Sequence, residues 1–379
     1  MLHIALITTS YPEHTPGTEA AGSFVEDFAR ELSRHVRVTV VAASTMDSFA
    51  TEGRLSVKRF AVPRLPLSLL NPLMPTHWKS IVQSLRAGES ALEELADRDR
   101  PDHILALWVL PSGYWADRVA RRHQLKYSVW ALGSDIWTLG KVPLVRQILR
   151  RVLRRAERRY ADGIQLSKDV ETLGGLPCDF LPSTRLLPTG GPAKRSVERQ
   201  FNLAFLGRWH KNKGTDLLVD ALGLLTDQDW DRISEVRIYG GGPMHDLVHQ
   251  AAHALKLQGR PVMVGGYLDK DAAATLINWA DYLLLPSRIE SIPVIFSDAM
   301  QLHTPIIATP VGDLPRLFDK HKVGVLATRA AASEYADAIQ RGLRQNVSDF
   351  GAAIDLAAKD FDLAFVIREF VSKLETPLT

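Results

Sequence analysis

Two carboxylates stand eight positions apart in Pro286-Ser287-Arg288-Ile289-Glu290-Ser291-Ile292-Pro293-Val294-Ile295-Phe296-Ser297-Asp298-Ala299-Met300. The first follows a strand-like run, Asp281-Tyr282-Leu283-Leu284-Leu285, and a Pro-Ser turn. The second falls within what reads as the following helix, with Pro293 suited to its first turn. A strand end that feeds a helix N-terminus is where open α/β sheets bind ligands. Such a terminus offers free N–H groups and partial positive charge to an anion. With a helical rise of ~1.5 Å per residue, Asp298 lies roughly 8–12 Å from Glu290. That span lets one carboxylate reach a sugar and the other a ribose, with a diphosphate between them. On spacing alone the plainer reading, a solvated Glu in a loop and a polar Asp on a helix, has the better claim.

Charge for a diphosphate is available upstream. Arg208 and Lys213 lie at a strand end in Gly207-Arg208-Trp209-His210-Lys211-Asn212-Lys213-Gly214. Glycine lets backbone approach a ligand, and two cations can neutralise phosphates. An exposed basic loop is the alternative, and the order of residues is not that of a Walker loop. Gly240-Gly241-Gly242-Pro243 also follows a strand; its glycines could admit a nucleotide or simply make a turn, and the G-x-G-x-x-G spacing is absent. The loop from Gly17 to Gly22 could act as a phosphate or acceptor clamp, or be an ordinary connection. Asp135, in Gly133-Ser134-Asp135, could orient an acceptor hydroxyl or cap the next helix. No nucleophile elbow, Cys–His arrangement or H-E-x-x-H is present.

The elements that must hold these residues repeat a strand–helix alternation. Strands are expected at Ile4–Thr9, Val36–Val41, Asp102–Val109 and Ser128–Ala131, and again at Asn202–Leu206, Val236–Tyr239, Pro261–Val264, Tyr282–Leu285 and Pro305–Ala308. Phe24, Phe28, Ala29 and Leu32, and later Leu217, Leu218, Ala221, Leu222 and Leu225, recur at helical spacing. Such βαβ repetition predicts α/β domains with parallel sheets covered on both faces. At 379 residues the chain is too long for one ordinary core, so two domains are expected. The boundary is placed at 192/193, in the Pro/Gly/Lys-rich stretch Pro188–Ser196. Asp360–Leu374 is amphipathic and must pack against something.

Composition narrows the function classes. Hydrophobic residues are 46% and charged residues 23%, as in globular proteins. The single cysteine, Cys178, excludes an internal disulfide and a multi-cysteine zinc site. Met1–Thr9 reads as a first strand, not a signal peptide, and no apolar run approaches ~18–20 residues, so a cytoplasmic protein is expected. The net charge of +3 divides into +5 over residues 1–190 (25 basic, 20 acidic) and −2 over the rest (21 basic, 23 acidic). That excess is too small to argue for nucleic acid. Arg146, Arg150, Arg151, Arg154, Arg155, Arg158 and Arg159 nevertheless share one segment. At helical spacing they form a basic face, either a site for anionic lipid headgroups or a solvated surface. Leu65–Pro75, apolar and proline-rich ahead of Trp78, is a hydrophobic acceptor surface or a buried loop.

Taken as an ordered set, these segments resemble the retaining GT-B glycosyltransferases of the family 4 group, over nearly the whole chain and most clearly from Asn202 to Ala327. Phe205-Leu206-Gly207-Arg208 with Lys213-Gly214 looks like the family's G-R-x4-K-G motif. Ile238-Tyr239-Gly240-Gly241-Gly242-Pro243 is similar to its G-x-G-P turn. Pro286 to Met300 resembles its P-S-x-x-E-x7-E-A-M signature, and Pro305-Ile306-Ile307-Ala308-Thr309-Pro310-Val311-Gly312 the strand and turn after it. The resemblance implies two Rossmann-like domains facing a cleft, with the final helix (361–379) crossing back to the first. It implies a sugar nucleotide held mainly by the second domain, residues 193–360. Arg208 and Lys213 would hold the diphosphate, Glu290 sugar hydroxyls and Asp298 the ribose. Backbone at Gly207, Gly240, Gly242, Val294 and Ile295, and Gly22 from the first domain, would meet phosphate or sugar oxygens. No metal is expected, because the cations and helix dipole would do that work. The implied reaction moves a hexose to a saccharide or lipid-linked saccharide acceptor, at the inner face of a membrane if the basic helix docks there. Departures are Asp298 in place of Glu, Leu132 where many relatives carry His, Asp313 in place of a second Gly, and Arg316 in place of a later acid. A sugar-nucleotide epimerase on the same fold and a non-catalytic nucleotide-sugar-binding module are the alternative readings.

Overall fold

The computed structural model describes residues 1–13, 22–187 and 200–376. The chain divides into two compact units, Met1–Pro182 with Ile367–Thr379, and Ser183–Val366. The first division falls ahead of the expected 192/193, so the segment 183–187 belongs with the second unit.

The first unit carries eight strands: β1 His3–Thr8, β2 Arg37–Ser44, β3 Ser48–Glu52, β4 Leu55–Ala61, β5 His103–Leu107, β6 Lys126–Ala131, β7 Arg158–Ala161 and β8 Asp179–Phe180. Their order is β3-β4-β2-β1-β5-β6-β7-β8. Every pairing is parallel except the β3–β4 hairpin. Central strands such as β1 are buried along their whole length, which is why they read as apolar runs and not as alternating patterns. One face packs Leu92, Trp115, Val119, Leu149 and Val152 against Ile7, Val41 and Val129. On Trp130, Phe28 packs with ring centroids 4.9 Å apart. Phe370, from the last helix Leu363–Glu375, packs on Phe28 at 5.6 Å and on Tyr160 at 5.5 Å. The helix end is tied by Arg158 donating to the Thr376 carbonyl at 2.7 Å and by Lys373 to Asp179 at 3.2 Å. From Ile367 onward the C-terminal helix packs within the first unit, while Phe361 packs on Phe296 in the second.

One expectation needs correction here. The arginine run is not one helix: the helix Pro143–Arg155 ends and β7 begins at Arg158. Arg159 is buried and its guanidinium donates to the carbonyls of Pro177 and Ala156 at 2.7 and 2.6 Å. It serves the backbone, and only Arg146, Arg150, Arg151, Arg154 and Arg155 remain on the exposed helix surface.

The second unit has six strands, all parallel: β9 Phe201–Arg208, β10 Ile233–Gly241, β11 Val262–Gly265, β12 Tyr282–Leu285, β13 Ile306–Ala308 and β14 Gly324–Leu326. Their order is β11-β10-β9-β12-β13-β14. Leu203, Phe205, Ile238, Leu283, Leu284 and Ile306 lie in a core closed by residues of the flanking helices, among them Leu218, Leu222, Val248, Ile277, Phe296 and Ile339.

Candidate functional site

In the second unit the chain leaves β9 for β10 and β11 on one side, then returns to β12 on the other. The crevice at the C-terminal ends of β9 and β12 is therefore a topological switch point, where such sheets bind ligands. The sequence makes room for backbone there. Gly214 has φ +68°, and a Cβ on it would lie 1.8 Å from the Pro286 carbonyl oxygen. A Cβ on Gly240 would lie 1.9 Å from the Gly207 carbonyl oxygen. The loops after β9 and β12 are laced together: the Arg288 N–H donates to Asn212 O at 2.7 Å, and its guanidinium to Lys211 O at 2.9 Å and Asp216 Oδ1 at 2.6 Å. Burial opposes ionisation of Asp216, but Arg288 and the Leu217 N–H outweigh it and hold its carboxyl below the usual range.

This lacing brings Lys213 to Glu290. The Lys213 ammonium donates to Glu290 Oε1, and the Ser287 hydroxyl donates to the same oxygen at 3.2 Å. The Glu290 side chain is 13% exposed and the Lys213 side chain 39%, so the pair faces a solvent-accessible edge of the crevice. Arg208 ends β9 beside Gly242 and is exposed. It makes no ion pair among the described residues. Trp209 turns inward and is buried, near His245 and His249 at centroid distances of 5.8 and 5.6 Å. Tyr267, not singled out by the sequence, lies over Gly241 and donates its hydroxyl to that carbonyl at 2.9 Å. Gly207, Arg208, Lys213, Gly240, Gly242 and Glu290 are thus gathered at the ends of three adjacent strands.

The helix after Glu290 spans Val294–Gln301, with Pro293 as its cap residue in an extended conformation. Val294 and Ile295 are its first two residues, so their N–H groups have no intrahelical acceptor and carry the positive end of the helix dipole. Asp298, expected to hold the ribose, follows one turn later. Its side chain is 0% exposed and Arg185 forks it, Nη2 to Oδ2 and Nε to Oδ1, the latter at 3.2 Å. Both carboxylate oxygens thus face the Arg185 guanidinium in a bidentate arrangement. Arg185 was missed because it lies 113 positions from Asp298, a separation that no local pattern records.

Asp135, expected to orient an acceptor hydroxyl or cap a helix, is 2% exposed, with Oδ2 accepting from the Val109 N–H at 2.6 Å and Oδ1 from the Leu132 N–H at 3.3 Å. It braces the chain just past β5 and β6, while the helix Ser134–Trp137 has Gly133 as its N-cap residue and no side-chain cap hydrogen bond. Burial pushes its carboxyl up to about 6, against the pull of those N–H groups. Gly22 has φ +80° at the start of the helix Ser23–Ser33, where a Cβ would lie 2.7 Å from Ser10 O. Gly17, at the other end of that loop, lies outside the described residues.

Elsewhere in the first unit, Leu144 and Ile148 are 75% and 40% exposed on the helix Pro143–Arg155. Arg151 and Arg155 follow them at helical spacing on the same exposed side. The apolar stretch ahead of Trp78 is not a buried loop: Leu69, Leu73, Met74 and Trp78 are 47%, 70%, 46% and 56% exposed. It is held in shape by the Trp78 indole donating to Pro72 O at 2.8 Å and by the Asn71 N–H donating to His77 at 2.9 Å. No helix among the described residues is long and apolar enough to cross a membrane, and none of their His, Cys, Asp and Glu side chains form a group of three or more suited to a metal ion.

Chemically, the second unit offers two cations and a helix N-terminus to a diphosphate, and beside them a carboxylate able to accept hydroxyl groups. Residues 200–345 match the family model described as Glycosyl transferases group 1. The chain is 26% identical over 272 residues to a putative teichuronic acid biosynthesis glycosyltransferase, TuaC, of Bacillus subtilis (strain 168), covering 68% of this chain and 65% of that relative. A sucrose-phosphate synthase from Thermosynechococcus elongatus superposes with a TM-score of 0.76 at 17% identity, over 99% of both chains. The trehalose-6-phosphate synthase OtsA superposes with a TM-score of 0.77 at 10% identity, again over 99% of both. At those identities the structural likenesses show the fold alone.

Proposed function

We propose, for a chain that has the GT-B fold and carries a group 1 glycosyl transferase domain over residues 200–345, that it transfers a hexose from a nucleotide diphosphate sugar to a saccharide or lipid-linked saccharide acceptor with retention of anomeric configuration. The observation that carries this reading is the Lys213–Glu290 pair at the switch point, with Arg208 exposed beside it. Arg208, Lys213 and the first N–H groups of the helix Val294–Gln301 bind the diphosphate. Glu290 accepts hydroxyl hydrogen bonds from the sugar. As the glycosidic bond to phosphate breaks, negative charge grows on the departing diphosphate, and donors already aimed at it lower the barrier. The sugar becomes oxocarbenium-like and is attacked by the acceptor hydroxyl on the face the diphosphate leaves, the hydroxyl proton passing to the departing diphosphate oxygen. No metal is required in this scheme, since the protein's own cations meet the developing charge.

An acceptor of lipid-linked type and a peripheral membrane position are supported by the helix Pro143–Arg155, which exposes Leu144 and Ile148 among five arginines. A binding module without activity is set aside by the retention of both cations with Glu290. The test is incubation with UDP-, GDP- and ADP-hexoses and saccharide acceptors, followed by NMR of the product. An axial-anomer product from an axial-anomer donor is expected. Inverted product, or none from every donor, would refute the proposal.

A further inference from the structure

Trp108 is held in a backbone conformation that its side chain opposes. Its φ is +67°, in the left-handed region that a bulky residue enters only at a cost. The other described non-glycine residues at positive φ are Gln124, His303 and Lys322. Those are polar and stand at the C-terminal ends of helices, where that conformation is ordinary. Trp108 instead follows the last residue of β5, so no helix cap accounts for it. Three hydrogen bonds fix it. The Trp108 N–H donates to Trp130 O at 2.9 Å, the Gly113 N–H donates to Trp108 O at 3.1 Å, and the next N–H, that of Val109, donates to buried Asp135 at 2.6 Å.

The strain places an aromatic ring. In the first sheet the chain runs from β1 to β2 on one side and reaches β5 on the other, so the C-terminal ends of β1 and β5 flank that sheet's own switch point. Trp108 stands at the end of β5, and Phe24 in the first turn of the helix that follows β1. Both are half-buried, and their rings meet edge to face with centroids 6.5 Å apart. Phe24 rests in turn on fully buried Trp130 at 5.9 Å. An aromatic face kept partly in solvent on a rigid aromatic base suits the C–H-bearing face of a pyranose ring, whose hydrogens meet the negative face of the π system.

We propose that Trp108 is the platform on which the saccharide acceptor stacks in the first unit, with Asp135 as the positioning residue that holds the backbone behind it. The proposal rests on the glycosyltransferase reading above and names its acceptor surface. Asp135 then acts on the acceptor through Trp108, without touching a hydroxyl.

The experiment is saturation-transfer NMR titration of the full chain with the methyl α-D-pyranosides of glucose, galactose and mannose, beside calorimetric titration with UDP, GDP and ADP. At least one glycoside should bind the wild type. Trp108→Asn, whose side chain tolerates the left-handed backbone, should weaken that binding by about tenfold or more. Trp108→Phe keeps a ring and should stay within about threefold of wild type. Asp135→Asn should also weaken the glycoside, and nucleotide affinity should stay within about twofold in every variant, a split that a merely structural role would not produce. Equal glycoside affinity in wild type and Trp108→Asn, Trp108→Phe as weak as Trp108→Asn, or no glycoside binding at all overturns the proposal while leaving the donor site standing. Binding of no nucleotide refutes the glycosyltransferase reading, and this proposal with it.

Discussion

Lys213 donates its ammonium hydrogen to Glu290 across 77 positions of sequence, joining the loop after β9 to the loop after β12. The bond holds both side chains at the switch point. In the proposed scheme a diphosphate that draws Lys213 toward itself releases Glu290 Oε1 to accept a sugar hydroxyl, so the two residues would act together. Replacing either should impair transfer far more than binding of acceptor. Lys213→Ala should lower kcat/KM by about 10²–10³-fold, in the range seen when one preorganised donor to a developing anion is removed. Glu290→Ala should fall similarly. Steady-state kinetics with the donor that binds will show it; unchanged rates in either variant would remove the pair from the site.

Gly214 makes that approach possible. Its φ of +68° and the 1.8 Å that would separate a Cβ from Pro286 O leave no space for a side chain. Gly214→Ala should force the two loops apart, costing at least about 1 kcal/mol of stability from backbone conformation alone. Activity should fall with it. Urea unfolding and a transfer assay on the same preparation check both.

Asp135 gives a signed pH dependence. Its folded pKa, about 6, lies above the ordinary 3.8. A raised acid contributes stability fully at pH below its unfolded pKa and loses it as pH rises through the folded one. The gap between 3.8 and about 6 corresponds to roughly 3 kcal/mol. The stability difference between wild type and Asp135→Asn should therefore shift by that order between pH 3.5 and pH 7.5, with wild type losing ground as pH rises. Denaturant titrations at the two pH values suffice, and a pH-independent difference would contradict the assignment.

Much of the architecture was legible because parallel strands buried on both faces are written as short apolar runs, such as Ile4–Ile7 and Tyr282–Leu285. The site's clustering was legible because loops after consecutive strands of a doubly wound sheet must meet at one edge. What stayed hidden follows from physics that leaves no local trace. The strand β3 is exposed along its length and has no apolar pattern to reveal it. The strand β7 hides in an arginine run, because Arg159 turns inward to bind carbonyls. The pairing of Asp298 with Arg185 spans 113 positions and leaves no local pattern.

The exposed helix Pro143–Arg155 predicts lipid binding that depends on charge. Each basic residue near an anionic surface contributes about 1 kcal/mol. Arg150→Glu with Arg151→Glu should therefore weaken binding to phosphatidylglycerol vesicles by roughly 30-fold or more, measured by flotation. Leu144→Asp should weaken it further without altering binding to neutral vesicles. Vesicle binding that survives all three substitutions would exclude this helix as the docking face.

Chelation offers a separate check on the chemistry. With Arg208 and Lys213 meeting the diphosphate, EDTA should leave the rate of transfer unchanged within experimental error, and added magnesium or manganese should not raise it. Loss of activity on chelation, restored by one metal, would contradict the scheme.

The central claim is that the second unit binds a nucleotide sugar through Lys213 and Glu290. Thermal denaturation of the wild-type chain with UDP-, GDP- and ADP-hexoses and with NAD tests it most directly, since a ligand bound only by the folded state raises the melting temperature. One nucleotide-sugar class should raise it in the wild type and fail to do so in Lys213→Ala. Stabilisation by NAD alone, or an equal shift in the variant, would contradict the account.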